Sequence, residues 1–177
     1  MMAGVIASDG GDNKFDIYTV LAAAISHARH RVWITQGYFA PNQAFIDILK
    51  AAAGRGVDVR LLLPGVSDVP LVLQASRFSY EAGIRIYERQ GSPLHAKTIV
   101  VDSIWTSVGS ANLDYRSLVY NFELNTVVVS SQLGRAMDKL FLADLQYADE
   151  ITLAARQRRS LLQRLSEILG NLLRPLL

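Results

Sequence analysis

Apolar residues in the first half of the chain alternate between two spacings. From Asp16 to His30 they recur at helical intervals, whereas Arg31 to Thr35 and Val57 to Leu63 are short apolar runs typical of buried strands. Asn42 can cap a helix over Gln43 to Ala53. Three further elements are predicted here: a strand at Val5–Ala7, a helix at Val69–Ala82 and a strand at Ile84–Tyr87. Strand–helix alternation with short connections predicts an α/β domain with a largely parallel sheet.

The pattern changes in the second half of the chain. Two strands, His95 to Val101 and Ile104 to Val108, are joined tightly at Asp102-Ser103, which predicts a hairpin. A loop or short helix is expected over Asn112 to Tyr120, then a strand at Phe122–Val129 and a long helix at Gln132–Ala155. We therefore expect a single domain over residues 1–155.

Residues 156–177 form a distinct amphipathic helix in this interpretation. Their apolar residues mark one helical face, and the arginines lie off it. Three roles are open for this helix: docking on its own domain, contact with another subunit, or an interfacial position in lipid headgroups. The apolar positions are Leu161, Leu162, Leu165, Ile168, Leu169, Leu172, Leu173 and Leu176.

Composition narrows the class of protein. The chain has 177 residues, half of them hydrophobic, which suits one globular domain with a sizeable core. The formal net charge of +2 is too small to argue for nucleic acid by itself. Cysteine is absent, which excludes disulfides and thiolate metal sites. The start of the chain does not resemble a signal peptide, so we expect a cytoplasmic location or a peripheral one on the cytoplasmic side of a membrane.

The densest chemistry lies in the pattern H-x-K-x4-D-x6-G-S-x-N, which begins at His95. On a strand, His95 and Lys97 are two apart and point to the same face. A neutral imidazole can act as nucleophile or proton carrier, and an ammonium attracts phosphoryl oxygens. Ser110 and Asn112 add a hydroxyl and an amide from a tight turn. Carboxylates and histidines are not grouped at metal-ligand spacing, so we expect no metal and no cofactor.

This pattern resembles the HKD signature of the phospholipase D superfamily. The stretches GYFAPNQAFIDILKAAAGRGVDVRLLLPGVSDVPLV and VGSANLDYRSLVYNFELN are similar to the C-terminal half of bacterial cardiolipin synthases. The resemblance implies a mixed β-sheet flanked by helices, in which two HKD motifs meet at a pseudo-twofold axis. It also implies a phosphohistidine intermediate: one histidine attacks the phosphodiester and the other protonates the leaving alkoxide.

The resemblance carries roles onto individual residues. His95 is the catalytic histidine of this half, as nucleophile or general acid, and Lys97 is its phosphate ligand. Ser110 and Asn112 assist at the phosphate or at the histidine pair, and Glu123 orients the imidazole through a hydrogen bond. Two further motif positions, Asp102 and Gly109, are expected to be structural, Asp102 because it has the opposite strand parity from His95. Tyr38 and Phe39 could line a pocket or belong to the core.

The chain departs from the family because it contains one HKD motif where cardiolipin synthases have two. Two copies could pair, a separate chain could supply the other half, or the chain is an inactive half-domain. The first expectation is a phosphatidyltransferase or phospholipase D-type enzyme acting on phospholipid at a membrane surface. The alternative is a homodimeric, metal-independent endonuclease with a single HKD motif per chain. The near-balanced charge ranks nucleic acid below lipid.

Overall fold

An eight-stranded mixed sheet forms the centre of the protein in a computed structural model, in the order β1-β9-β7-β6-β2-β4-β5-β10. The structure describes residues 1–9, 16–67, 73–74, 76–77, 83–91, 93–152 and 158–172. The strands of this sheet are β1 (Met2–Asp9), β2 (Arg31–Gln36), β4 (Asp58–Pro64), β5 (Arg85–Arg89), β6 (Lys97–Val101), β7 (Trp105–Gly109), β9 (Phe122–Val129) and β10 (Ala148–Glu150). A second, two-stranded sheet pairs β3 (Phe39–Ala40) with β8 (Leu113–Asp114).

Strand direction changes across the large sheet. Strands β2, β4 and β5 are parallel, as the helix–strand alternation predicted, and every other neighbouring pair is antiparallel. The expected mixed sheet flanked by helices is confirmed. A largely parallel sheet is wrong for the molecule as a whole, because the hairpin at Asp102-Ser103 and the edge strands β1 and β10 run antiparallel.

Five helices are described: α1 (Asp16–Ser26), α2 (Gln43–Gly54), α3 (Tyr115–Val119), α4 (Ser131–Asp144) and α5 (Leu161–Leu172). The apolar sides of α1 and α2 cover one sheet face and build the main core with Ile34, Leu61 and Ile99. Helix α4 covers the other face, where Phe141 stacks on Trp33 at 5.1 Å between ring centroids. Each face therefore has its own core, as a layered α/β domain requires.

The hairpin is built as the sequence indicated. Asp102 and Ser103 both have positive φ, at 52° and 57°, and Ile104 N–H donates to the carbonyl of Val101 at 3.1 Å. Two central residues in the left-handed region characterise the turns that match strand twist. Helix α4 approaches this turn so closely that a Cβ at Gly134 would overlap the Ser103 carbonyl. Gly134 is therefore needed for the helix to pack there.

The helix expected over Gln132–Ala155 is too long. Helix α4 ends at Asp144, a short 3₁₀ turn spans Leu145–Tyr147, and β10 then joins the sheet edge beside β5. Arg85 and Glu150 form an ion pair between these two strands, at 3.1 Å. After Asp144 the chain thus pairs with the open edge of β5 and does not continue the helix. The strand expected at Val5–Ala7 is also longer, because β1 pairs with β9 along all eight residues.

Helix α5 lies inside the tail segment, residues 156–177, for which a helix was expected, and the described residues 158–160 before it are not helical. The helix expected at Val69–Ala82 falls mostly outside the described residues, and the positions described there, 73–74 and 76–77, are helical. Within the described part of the chain, no helix is both long and apolar enough to cross a bilayer.

Candidate active site

Register across five neighbouring strands gathers polar side chains on one sheet face. Gln36 of β2 is opposite Lys97 of β6, Gly109 of β7 is opposite Asn125 of β9, and Glu123 of β9 is opposite Ser8 of β1. Directly opposed residues in antiparallel strands project to the same side. The polar positions therefore share the sheet face that α1 and α2 cover, at the end of the sheet where β2 finishes and β6 begins. This group is termed the half-site.

His95 and Lys97 are neighbours in the half-site, but not by the predicted geometry. Strand β6 starts at Lys97, so His95 lies in the segment before the ladder, and the argument from strand parity does not apply to it. The ammonium of Lys97 donates to the carbonyl oxygen of His95 at 2.9 Å. Gly37 N–H donates to the carbonyl of Ala96 at 2.9 Å. These two hydrogen bonds hold an exposed histidine against a lysine that is only 8% exposed.

Lys97 carries the positive charge of the half-site. Burial lowers the pKa of its ammonium, and the nearby carboxylates of Glu123 and Asp114 act against that shift. An ammonium withdrawn from water interacts strongly with an anion that enters beside it. Burial also raises the pKa of Asp114, whose carboxylate caps α3 by accepting the Ser117 N–H at 2.7 Å.

Gly37 sets how closely the His95 segment approaches the sheet. A Cβ at this position would lie 3.1 Å from the Leu94 carbonyl oxygen, 3.3 Å from the Cα of His95 and 3.4 Å from the Nζ of Lys97. The sequence signal was the glycine at the end of a strand, but its target could not be seen without the fold. Next to Gly37, the ring of Tyr38 meets the His95 imidazole edge-on, with centroids 6.1 Å apart. Phe39 is buried in the core.

The G-S-x-N turn is held by β9. The hydroxyl of Ser110 donates to the Glu123 carboxylate and accepts the Leu124 N–H at 3.0 Å. Asn125 accepts the Ala111 N–H at 3.2 Å and donates to Ser107 at 3.0 Å. A Cβ at Gly109 would overlap both the Asn125 amide and the Leu124 carbonyl, so only glycine fits there. The sequence interpretation missed Asn125, although it lies two residues beyond Glu123 on the same face.

Two amide side chains at the half-site have buried oxygens without a hydrogen-bond partner. They are Oε1 of Gln36, a residue 1% exposed, and Oδ1 of Asn112. Asn112 also makes a long contact of 3.5 Å from its amide nitrogen to the Ser117 hydroxyl. An amide presents either an acceptor oxygen or two N–H donors, depending on rotation about its terminal bond. Both groups can therefore still bond to a ligand.

Glu123 does not contact the imidazole in this single chain. Its carboxylate accepts from Ser110 and, at 3.4 Å, from the Asn121 amide, and the side chain is buried. Among the described contacts of His95, the ring has only the edge contact with Tyr38. The expected carboxylate–imidazole hydrogen bond is thus not formed here, since the exposed His95 ring lies outside the ladder while Glu123 is satisfied within it.

Asp102 lies at the opposite end of β6 from Lys97. Its carboxylate accepts three backbone N–H groups, from Arg29 at 2.9 Å, His30 at 2.8 Å and Arg31 at 2.9 Å. Burial opposes its ionisation, but these backbone bonds outweigh burial and hold the pKa of Asp102 below its usual value. The contacts tie the hairpin to the segment between α1 and β2.

The half-site thus combines an exposed imidazole, a buried ammonium and polar groups that can contact phosphoryl oxygens. Among the described residues, no three or more histidine, aspartate or glutamate side chains are close enough together to hold a metal ion. A mixed α/β sheet with one such set defines a phosphodiester-handling domain of the HKD class. The family described as "Cardiolipin synthase, PLD-like domain" matches residues 21–145. The chain belongs to this family.

Individual relatives agree with that assignment. A cardiolipin synthase of Staphylococcus aureus is 36% identical over 97% of this chain, and cardiolipin synthase 2 of Bacillus anthracis is 38% identical over 97%. The chain spans about a third of the length of these relatives, 36% and 34% respectively.

Solved structures share the fold. The phospholipase D family member Nuc of Salmonella typhimurium has a TM-score of 0.68 at 20% identity, over 85% of this chain and 97% of that one. Phosphatidylserine synthase of Haemophilus influenzae has a TM-score of 0.75 at 11% identity, over 99% of this chain and 48% of that one.

Proposed function

We propose that this chain supplies one half of a cardiolipin-synthase-type active site that transfers a phosphatidyl group through a phosphohistidine. A partner chain, or a half that this sequence does not contain, supplies the second HKD motif. The observation that carries the proposal is that the exposed His95 lies next to the buried Lys97, whose ammonium donates to the His95 backbone carbonyl. The relatives at 36% and 38% identity are cardiolipin synthases, which supports phospholipid as the substrate class.

The proposed chemistry needs two histidines in different protonation states. One imidazole nitrogen attacks phosphorus, the phosphorus–oxygen bond to the leaving alcohol breaks, and the second imidazole gives its proton to the departing alkoxide. The same second histidine then takes a proton from an incoming alcohol, which displaces the first and releases the new phosphodiester. His95 performs one of these two roles. Lys97, with Ser110 and Asn112, stabilises the negative charge on the phosphoryl oxygens.

In this proposal Glu123 turns to the imidazole once the site is completed. The Ser110 hydroxyl already holds this carboxylate in the half-site, and the imidazole N–H would join it as a second donor. A carboxylate bonded to one ring nitrogen fixes the tautomer and directs the other nitrogen to the substrate. Asp102 and Gly109 act only by holding the hairpin and the turn in place.

An apolar area on the opposite sheet face, behind the half-site, supports the requirement for a partner. Val5, Val108, Phe122 and Leu124 project from adjacent strands on the sheet face that α4 covers elsewhere, and all four are exposed. Phe122 is 84% exposed and directly precedes Glu123. An uncovered apolar area of this kind marks an interaction surface. We propose that part of a partner covers this apolar sheet face, while the second HKD motif meets the half-site at the end of the sheet.

The second candidate is a homodimeric, metal-independent endonuclease. It is favoured by the single HKD motif, since two identical chains can complete a site by twofold pairing. The net charge of +2 argues against it, because nucleic-acid binding draws on many phosphate contacts. We rank it below lipid transfer.

The deciding experiment measures assembly and turnover together. The purified chain is sized by light scattering and incubated, with chelator, with phosphatidylglycerol vesicles and separately with plasmid DNA. A dimer should convert phosphatidylglycerol, and a monomer should do so only after addition of the first HKD half of a cardiolipin synthase relative. Cleavage of DNA with lipid untouched would establish the second candidate instead.

A matched pair of histidine variants tests the mechanism. His95→Ala should abolish turnover and the acid-labile, base-stable phosphoryl adduct on the chain that holds the nucleophile. His30→Ala is the control, because His30 is exposed and lies at the opposite end of the sheet, near Asp102. Equal activity of the two variants would exclude His95 from the reaction.

A further inference from the structure

Helix α5 packs on the domain through its polar side. Gly170 and Glu167 are buried, and the Ser166 hydroxyl donates to the Gln74 side chain at 3.2 Å. Glu167 forms an ion pair with Arg159 at the base of the helix. These residues lie on the side of the helix away from the leucines. The usual arrangement, in which an amphipathic helix buries its apolar stripe, is reversed here.

The reversal leaves a continuous apolar stripe facing outward. Leu161 and Leu162 are 77% and 79% exposed, and the remaining members of the stripe are also exposed. Isolated exposed leucines are ordinary, but a set on one helical face marks a surface that meets an apolar environment. The leucine face consists of Leu161, Leu162, Leu165, Ile168, Leu169 and Leu172.

Among the described residues of this segment, the exposed charged side chains beside the leucine face are arginines. Arg158 and Arg164 are exposed, and Arg164 lies at the border of the stripe beside Ile168. The one acidic residue of α5, Glu167, is turned inward and neutralised by Arg159. The described part of this segment therefore presents apolar and cationic side chains outward and no carboxylate. Such a face complements an anionic lipid surface, where arginines reach phosphates while leucines enter the acyl boundary.

A second copy of the chain fits this face less well. Twelve residues of helix are about 18 Å long and offer on the order of 300 Å² of contact, against about 800 Å² per partner in a stable interface. Two such faces would also bring Arg158 and Arg164 of both copies close together. A lipid surface has neither restriction.

We propose that α5 is a membrane-seating helix, whose leucine face inserts at the headgroup boundary of anionic bilayers and brings the half-site to its substrate. The proposal accompanies the phospholipid substrate class proposed above, but its test does not require turnover. The domain stays attached because the polar side of α5 remains docked through the hydrogen bond from Ser166 to Gln74.

The test is cosedimentation of the full chain with vesicles of phosphatidylglycerol and phosphatidylcholine in varied ratio. The partition coefficient should rise with the phosphatidylglycerol fraction, and Leu165→Ser with Leu169→Ser should lower it at least tenfold. The matched control is Leu140→Ser with Leu142→Ser, two exposed leucines on α4. Because the chain has no cysteine, Leu165→Cys gives a unique site for an environment-sensitive fluorophore, whose emission should shift to the blue on vesicles.

Several outcomes would overturn the proposal. One is equal binding by the α5 variant and the parent, or an equal loss in the α4 control. Equal partition onto pure phosphatidylcholine would remove the anionic-surface component. A self-association that the α5 variant abolishes, without vesicle binding, would assign the leucine face to a second copy. The His95→Ala chain should bind vesicles like the parent, which separates failure of the proposed reaction from failure of this proposal.

Discussion

Replacing Asp102 should lower the free energy of unfolding without removing a group that takes part in the reaction. This carboxylate accepts hydrogen bonds from three backbone N–H groups, at 2.8 to 2.9 Å. A hydrogen bond to a charged group contributes about 1.5–3 kcal/mol when shielded, but Arg29 and His30 are exposed and water can replace part of it. Asp102→Ala should therefore lower the free energy of unfolding by about 2–4 kcal/mol. A further ~1 kcal/mol follows because alanine is disfavoured at a φ of 52°.

Urea denaturation at neutral pH measures this loss. Asp102→Asn should lose less than the alanine variant, because asparagine tolerates the left-handed region and keeps one acceptor oxygen. Asp149→Ala, an exposed carboxylate on β10, is the control and should stay within about 0.5 kcal/mol of the parent. The assay is sensitive enough, because whole domains are stable by only about 5–15 kcal/mol.

The pH dependence has a definite sign. The folded pKa of Asp102 lies below the usual aspartate value of 3.8, so its stabilisation is fully present above pH 3.8 and is lost as pH falls through the folded pKa. The difference between parent and Asp102→Ala should thus stay constant near neutrality and shrink below about pH 4. If Asp102→Ala unfolds like the parent while a completed site loses turnover, Asp102 contacts substrate and the structural role is wrong.

Two glycines give further predictions, with Gly54→Ala as their common control because a Cβ there meets nothing within 4 Å. Gly109→Ala should lower the free energy of unfolding, measured by urea denaturation, by at least about 3 kcal/mol, since the new methyl overlaps Asn125 and the Leu124 carbonyl. Unchanged stability would show that the turn can move. Gly37→Ala should keep most of its stability, because its contacts of 3.1 to 3.4 Å need shifts of only tenths of an ångström. It should cost roughly tenfold or more in kcat of the completed site by displacing His95, and full activity would refute the positioning role.

The sequence predicted the parts of this molecule that depend on local order. Strand β9 has the expected bounds, Asn42 caps α2, and the turn at Asp102-Ser103 joins two strands. Each of these signals lies within a few neighbouring residues. Strand–helix alternation predicted only the parallel strands β2, β4 and β5. The mixed character of the whole sheet was predicted by the resemblance to the family.

What the sequence could not predict depends on contacts between distant segments. The ladder of β6 begins at Lys97 because its partner β2 ends at Gln36, and nothing near His95 records that limit. The close approach to Gly37 likewise requires both segments to be in place. In α5 the pattern indicated an apolar face, but docking through Ser166 depends on a remote partner, Gln74.

Strand β6 connects the lysine and the aspartate of the HKD motif, so the number of residues between them sets the distance between their two sites in the fold. Lys97 and Val101 are its ends, and the four residue steps between them span about 13 Å. Deleting one residue from this strand would turn either Lys97 away from its face or Asp102 away from the three amides, because side-chain direction alternates along a strand. The number of residues between Lys97 and Asp102 is therefore fixed by the geometry of the sheet.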